Sequence, residues 1–223
     1  MLDATPVELC VIVLPVFWDL APWMLLQTIA AFSPAVVIMN GIAGERQPLW
    51  LESRALNRAK LSEDASGHIV PLAHCEAGGS AAYARLLPEL DDLPEGRALC
   101  CHFDAVRIAA ERAFDASRNT PSQGVLLSDI LQSIEQQPTA RESNIYLCNS
   151  VAYLTDVALS EPDRSLSFFK DAAEPLSIAL KGQCGPVARW FAHWPSGLAE
   201  AHIAPCASIL RAMIAAEVGA LLR

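Results

Sequence analysis

Two short apolar runs, Leu9–Leu14 and Ala35–Met39, enclose a segment of helical period, and this pattern limits the possible folds more than any other feature of the sequence. Leu9–Leu14 is continuously apolar and ends at Pro15, which predicts a strand buried on both faces. From Trp18 to Phe32 the apolar residues recur with helical period, Leu25, Ile29 and Phe32 falling on one face. Asp19 stands near the start, Pro22 is tolerable only in a first turn, and Pro34 stops the helix. Ala35–Met39 is a second buried strand, followed by Asn40, Gly41, Ile42, Ala43 and Gly44, a loop able to bring backbone close to a ligand. The three pieces form a β-α-β unit, so the fold is α/β with an at least partly parallel sheet, and a ligand is expected at the carboxyl ends of its strands.

Val11 to Met39 is apolar enough to be compared with a membrane span or a signal peptide. Pro15, Asp19, Pro22, Gln27 and Pro34 interrupt it, and no Lys or Arg precedes Arg46, so neither is expected. A formal net charge of -9 with no run of Lys and Arg argues against nucleic acid and against an anionic membrane surface as partners. A peptide or small molecule is expected instead, and a homo-oligomer is left open. The 223 residues carry no compositional break and are read as one domain. The seven cysteines are odd in number and form no CxxC pair, so neither a zinc ribbon nor a disulfide framework is expected, and a reducing cytoplasm fits best.

Cys101–Ala116 and Val125–Gln136 both have helical period, joined by the turn formers of Ser117–Gly124; Gly78 and Gly79 mark a further turn ahead of Tyr83. The run Ile145–Leu147 predicts a short strand that hands over at Cys148 to a helix with Val151, Leu154 and Ala158 on its buried face. A thiol at such a junction faces unpaired N–H groups and the positive end of the helix dipole, which favour thiolate. Trp190–Pro195 predicts a short aromatic strand with His193 alternating outward, and Ala204–Leu222 a last amphipathic helix with Ile209, Met213, Ala216 and Ala220 on one face. From these residues alone two readings stay open for each chemical group. Cys148 is a nucleophile or a buried cysteine, Glu52 a site carboxylate or a surface charge, and His193 a base or a histidine packed between aromatics.

Several stretches in order resemble the pyroglutamyl peptidase I family of cysteine peptidases. Leu14–Gly44 resembles the family's strand, helix and strand, with NGIAGERQ where the family has a GQAGGR-like run. ESRALN, Glu52 to Asn57, is similar to ERVAIN, GGSAAY from Gly78 to Tyr83 to GGPAAY, YLCNSVAY from Tyr146 to Tyr153 to FVCNHxxY, and FAHWP from Phe191 to Pro195 to FIHIP. Carried over position by position, the resemblance makes Cys148 the nucleophile, His193 the base and Glu52 the group that orients it. It also places Gly41, Ile42, Tyr146 and Leu147 beside the substrate. It implies a three-layer α/β/α fold, phosphorylase/hydrolase-like, with a twisted, mostly parallel or mixed sheet flanked by helices, and no metal or cofactor. One such domain would span residues 1–223, with insertions near 89–141 and 161–188 expected to cover exposed sheet or the site.

The implied activity is hydrolysis of an N-terminal pyroglutamyl, or related lactam-capped, amide through a Cys-His-Glu triad. The departures are as specific as the matches. The sequence has no counterpart of the family's N-terminal strand and GFEPFG-like loop, Ile42 replaces a glutamine, Glu45 a glycine, Asn144 and Ile145 a Gly-Thr pair, and Ser150 a histidine. These changes predict a reactive thiol with weakened recognition of the pyroglutamyl ring. The alternative is a catalytically weak or inactive member that binds a ligand or a protein.

Overall fold

A computed structural model gives the structure of the protein, and it describes residues 7–45, 48–65, 67, 83–87, 96–99, 101–121, 124, 126–137, 146–162, 178–181 and 187–223. The chain order is α1 (Leu20–Phe32), β1 (Val36–Glu45), β2 (Leu49–Glu52), β3 (Arg54–Ala55), β4 (Ala59–Lys60), β5 (Tyr83–Ala84), β6 (Arg97–Ala98), α2 (Phe103–Ser117), β7 (Ile134–Gln137), α3 (Leu147–Ser160), β8 (Ala188–Ser196) and α4 (Ile203–Leu221). Gly78 and Gly79 lie outside the described residues, as do most of 161–188 and Ile145.

Among the described residues four strands form the central sheet, in the order β1-β8-β2-β7. β1 and β8 are parallel, β2 and β7 are parallel, and the two pairs meet through the antiparallel β2–β8 ladder, so the sheet is mixed. Two small antiparallel ribbons, β3–β6 and β4–β5, lie beside it. Strand alternation sends the side chains of β1 and β8 to two faces. Val37, Met39 and Phe191 enter a core with α1 and α3; Trp190, Ala192 and Trp194 enter a second core with α2 and α4. The result is the expected three-layer α/β/α arrangement, with α1 packed on α3 and α2 on α4.

Local chemistry explains the element ends. Pro22 falls in the first turn of α1, where its missing N–H costs nothing, and Ser33 closes the helix in the left-handed region, φ 47°, just ahead of Pro34. The amino end of α2 is held by the buried Glu217 of α4, whose carboxylate accepts the His102 N–H at 3.0 Å and contacts the His102 ring at 2.9 Å. Among the described residues β7 is an edge strand of the sheet, with Ile134 buried and Glu135 and Gln136 exposed, a polar edge that discourages further pairing.

Four expectations are corrected. Leu9–Leu14 joins no ladder among the described residues; Ile12 and Leu14 pack on the first core, while Leu9, Val11 and Val13 are 68%, 76% and 89% exposed. An apolar run has no polar residues to mark its outer face, so its burial on one face only could not be read from it. Asn40–Gly44 is no loop but the continuation of β1, paired residue by residue with β8 through Ala43. The described part of Val125–Gln136, residues 126–136, forms no α-helix: a 3-10 turn, Leu127–Asp129, leads into β7, because Ile134 gains a place beside Leu49 in the sheet. His193 does not face outward but is buried between the sheet and α3.

Candidate active site

The strand face that carries Val37 and Met39 ends, toward the carboxyl end of β1, at Gly41. In the ladder Gly41 lies beside His193, and on the next strand Trp50 lies opposite His193 and Glu52 opposite Phe191. Period-2 alternation therefore points His193, Phe191, Trp50 and Glu52 to the α3 side of the sheet. There Glu52 and His193 meet: the Nδ1 of the ring lies 2.8 Å from Glu52 Oε1, with the two residues 2% and 1% exposed.

The other partner of the ring is Cys148. Tyr146 is the N-cap of α3, in extended conformation, and Cys148 falls in the first helical turn. The first intrahelical bond runs from Ser150 N–H to Tyr146 C=O at 3.2 Å, so the N–H groups of Leu147, Cys148 and Asn149 precede it at the positive end of the helix. The Cys148 thiol and the His193 ring face the same point beside Gly41, at 3.0 Å from Sγ and 3.1 Å from Cδ2. Burial disfavours the imidazolium, but the hydrogen bonds to Cys148 and Glu52 and the charge of both outweigh it, raising the ring from its ordinary 6.5 to about 9. The ring thus stands between a carboxylate and a thiol.

Three neighbours close the site around the thiol. A Cβ on Gly41 would stand 3.0 Å from Cys148 Sγ, 3.0 Å from Phe191 Cε1 and 3.1 Å from His193 Cδ2, so only glycine leaves the contact unstrained. The Phe191 and His193 rings stack at 4.5 Å, tilted by 33°. Tyr146 packs edge-on against Trp18 at 5.0 Å and donates its hydroxyl to Glu63 C=O at 2.8 Å; burial pushes its phenol up, with the charges of Asp64 and Cys148 adding.

The structure thus brings Cys148, His193, Glu52, Gly41 and Tyr146 together. It does not bring Ile42 or Leu147 side chains to the thiol. Ile42 follows Gly41 in a strand, so its side chain takes the opposite face, where it is 64% exposed, and Leu147 is buried in the core under α3. Trp50 and Asn149 belong to the same neighbourhood. Asn149 follows Cys148 within the quoted motif, but its contacts, like the pairing of Trp50 with His193, are seen only in the structure.

No family model matches the sequence, and no match is found among curated proteins. Solved structures do match. Pyroglutamyl peptidase I from Bacillus amyloliquefaciens superposes with a TM-score of 0.52 at 13% identity, over 92% of this chain and 75% of that one. Pyrrolidone carboxyl peptidase from the hyperthermophile Pyrococcus furiosus superposes with a TM-score of 0.57 at 15% identity, over 93% and 80%. The chain has the pyroglutamyl peptidase fold. Within that fold, the strand ends that meet α3 are where Glu52, His193 and Cys148 converge.

Proposed function

We propose that the protein is a cysteine peptidase of the pyroglutamyl peptidase type, hydrolysing an amide bond behind an N-terminal pyroglutamyl or related lactam group. One observation carries the reading: His193 is hydrogen-bonded to Glu52 through Nδ1 and shares the space beside Gly41 with Cys148, whose thiol sits on the first turn of α3. In this reading the Cys148 thiolate attacks the amide carbonyl, and the oxyanion turns toward N–H groups at the start of α3. The His193 imidazolium gives its proton to the leaving amine as the C–N bond breaks, leaving an acyl-thioester. His193, now neutral, takes a proton from water as the water attacks, and the acid departs while the thiolate and imidazolium re-form. Glu52 holds the ring's orientation and balances its charge throughout.

The substrate is a peptide or small amide, and the protein works in the cytoplasm, where Cys10, Cys148 and Cys206, none of them in a disulfide, stay reduced. The test pairs a pyroglutamyl fluorogenic amide with iodoacetamide labelling at neutral pH. Release of the fluorophore is expected to be abolished in Cys148→Ser, and Cys148 is expected to label faster than the other cysteines, with the advantage lost in His193→Ala. Equal labelling of all cysteines, with no amide cleaved, would leave the fold as a binding module.

A further inference from the structure

The residue after the thiol is buried in α3 with its side-chain oxygen and nitrogen both bonded. Asn149 is 0% exposed, accepts the Leu56 N–H on Oδ1 at 2.8 Å, and donates from Nδ2 to Leu56 C=O at 2.9 Å and Arg58 C=O at 2.7 Å. Both amide hydrogens are used, and the side chain bonds Leu56 as a neighbouring strand would. Leu56 and Arg58 lie on the chain that leaves β2, just past Glu52 and β3. Between them Asn57 repeats the device outward: its side chain accepts the Leu87 N–H at 2.8 Å and donates to Leu87 C=O at 2.7 Å.

His193 and Glu52 are set relative to each other by the β2–β8 ladder. Cys148 belongs to no strand. Its height above the sheet depends on how the first turn of α3 is seated, and apolar packing fixes such a position less sharply than directional bonds do, while the first turn of a helix is where fraying begins. We infer that Asn149 is a positioning residue of the site, fastening the nucleophile's helix turn to the segment that continues from Glu52, so that the imidazole can hold acid and thiol at once. The inference rests on the proposed pairing of Cys148 with His193.

The experiment compares the full chain with Asn149→Asp, Asn149→Ala and, as a control, Glu217→Gln, which disturbs a buried bond on the opposite layer. The readouts are the rate of Cys148 alkylation by iodoacetamide per folded molecule, and the titration of the His193 ring by NMR, from about pH 5 to about pH 10. Asn149→Asp keeps the size and the acceptor but, once ionised, loses both donors. It is expected to label about tenfold more slowly at neutral pH, with the His193 titration moving from about 9 toward its ordinary 6.5. Asn149→Ala, if it folds, does the same, whereas Glu217→Gln lowers the melting temperature and leaves both readouts in place. Asn149 variants that lose stability like the control, yet keep wild-type labelling and His193 titration, would overturn the inference. Failure of the underlying pairing is seen separately, as wild-type labelling no faster than that of His193→Ala, and would remove the inference with it.

Discussion

Gly41 shows how a single hydrogen atom can be the functional part of a side chain. Its position admits a Cβ only at 3.0 to 3.1 Å from Cys148 Sγ, Phe191 Cε1 and His193 Cδ2, so Gly41→Ala must move the thiol, the ring or the strand by a few tenths of an ångström. Cys148 alkylation in Gly41→Ala is expected to fall about tenfold, because misplacements of this size act on the reacting geometry before they act on stability. A rate equal to wild type, measured by mass spectrometry of the labelled peptide, would mean that the neighbours give way freely. His193 supplies a second prediction at this scale. Its pKa is raised from 6.5 to about 9, so its contribution to stability is fully present below about 6.5 and is lost as pH rises through about 9. Urea unfolding should therefore show wild type losing on the order of 3 kcal/mol more than His193→Gln between those limits. The same loss in both proteins would show that the ring is not the group responsible. Cys148, His193 and Glu52 were legible in the sequence because short motifs carry them. The reason Gly41 must be glycine was not, since it lies in atoms from β8 and α3 that meet it only after folding.

α3 is the element on which these side chains depend, and it is fastened to β8 at two levels. From Cys148 to Asp156 a helix advances roughly 12 Å, and from His193 back to Arg189 a strand retreats roughly 13 Å, so helix and strand run antiparallel in matching lengths. At the far level Asp156 accepts from Arg189 on Oδ1, and from Arg97 on Oδ2 at 2.5 Å; Arg189 also donates to Ser160 and to Val187 C=O. Asp156 and Arg189 are both buried, so removing the carboxylate strands a guanidinium away from water. Asp156→Ala is expected to cost about 3 to 5 kcal/mol in chemical denaturation. A loss below about 1 kcal/mol would mean that water or Glu161 takes over the charge. The sequence predicts α3 from its apolar spacing, yet gives no hint that Asn149, Ser150, Thr155 and Asp156 are buried too. Helical period identifies one apolar face, and only partners on other segments explain polar residues inside. The same limit accounts for 126–137, where helical spacing and a place in the sheet compete and β7 prevails.

At the scale of the molecule, the layers follow from alternation along two strands, since β1 and β8 divide their side chains between the α1–α3 core and the α2–α4 core. The three layers were implied by the family resemblance, and an α/β fold with a partly parallel sheet could be read from the apolar runs. The attachment of the first described residues could not, because an extended run of Leu, Val and Ile is apolar on both sides whichever side is buried. The structure resolves the ambiguity: Ile12 and Leu14 pack on the core shared by α1 and α3, and Leu9, Val11 and Val13 are exposed. The two sets should therefore differ in energetic effect although they are alike in chemistry. Ile12→Ala and Leu14→Ala are each expected to cost about 1 to 2 kcal/mol, less than fully buried positions because both residues are only partly covered. Leu9→Thr, Val11→Thr and Val13→Thr should each stay within about 0.5 kcal/mol of wild type, as exposed substitutions do. Urea midpoints for the five variants decide the matter. Equal losses in both sets would mean that this segment is buried on both faces, as a strand inside a sheet would be, and that the α1 layer is covered by more chain than its packing here requires.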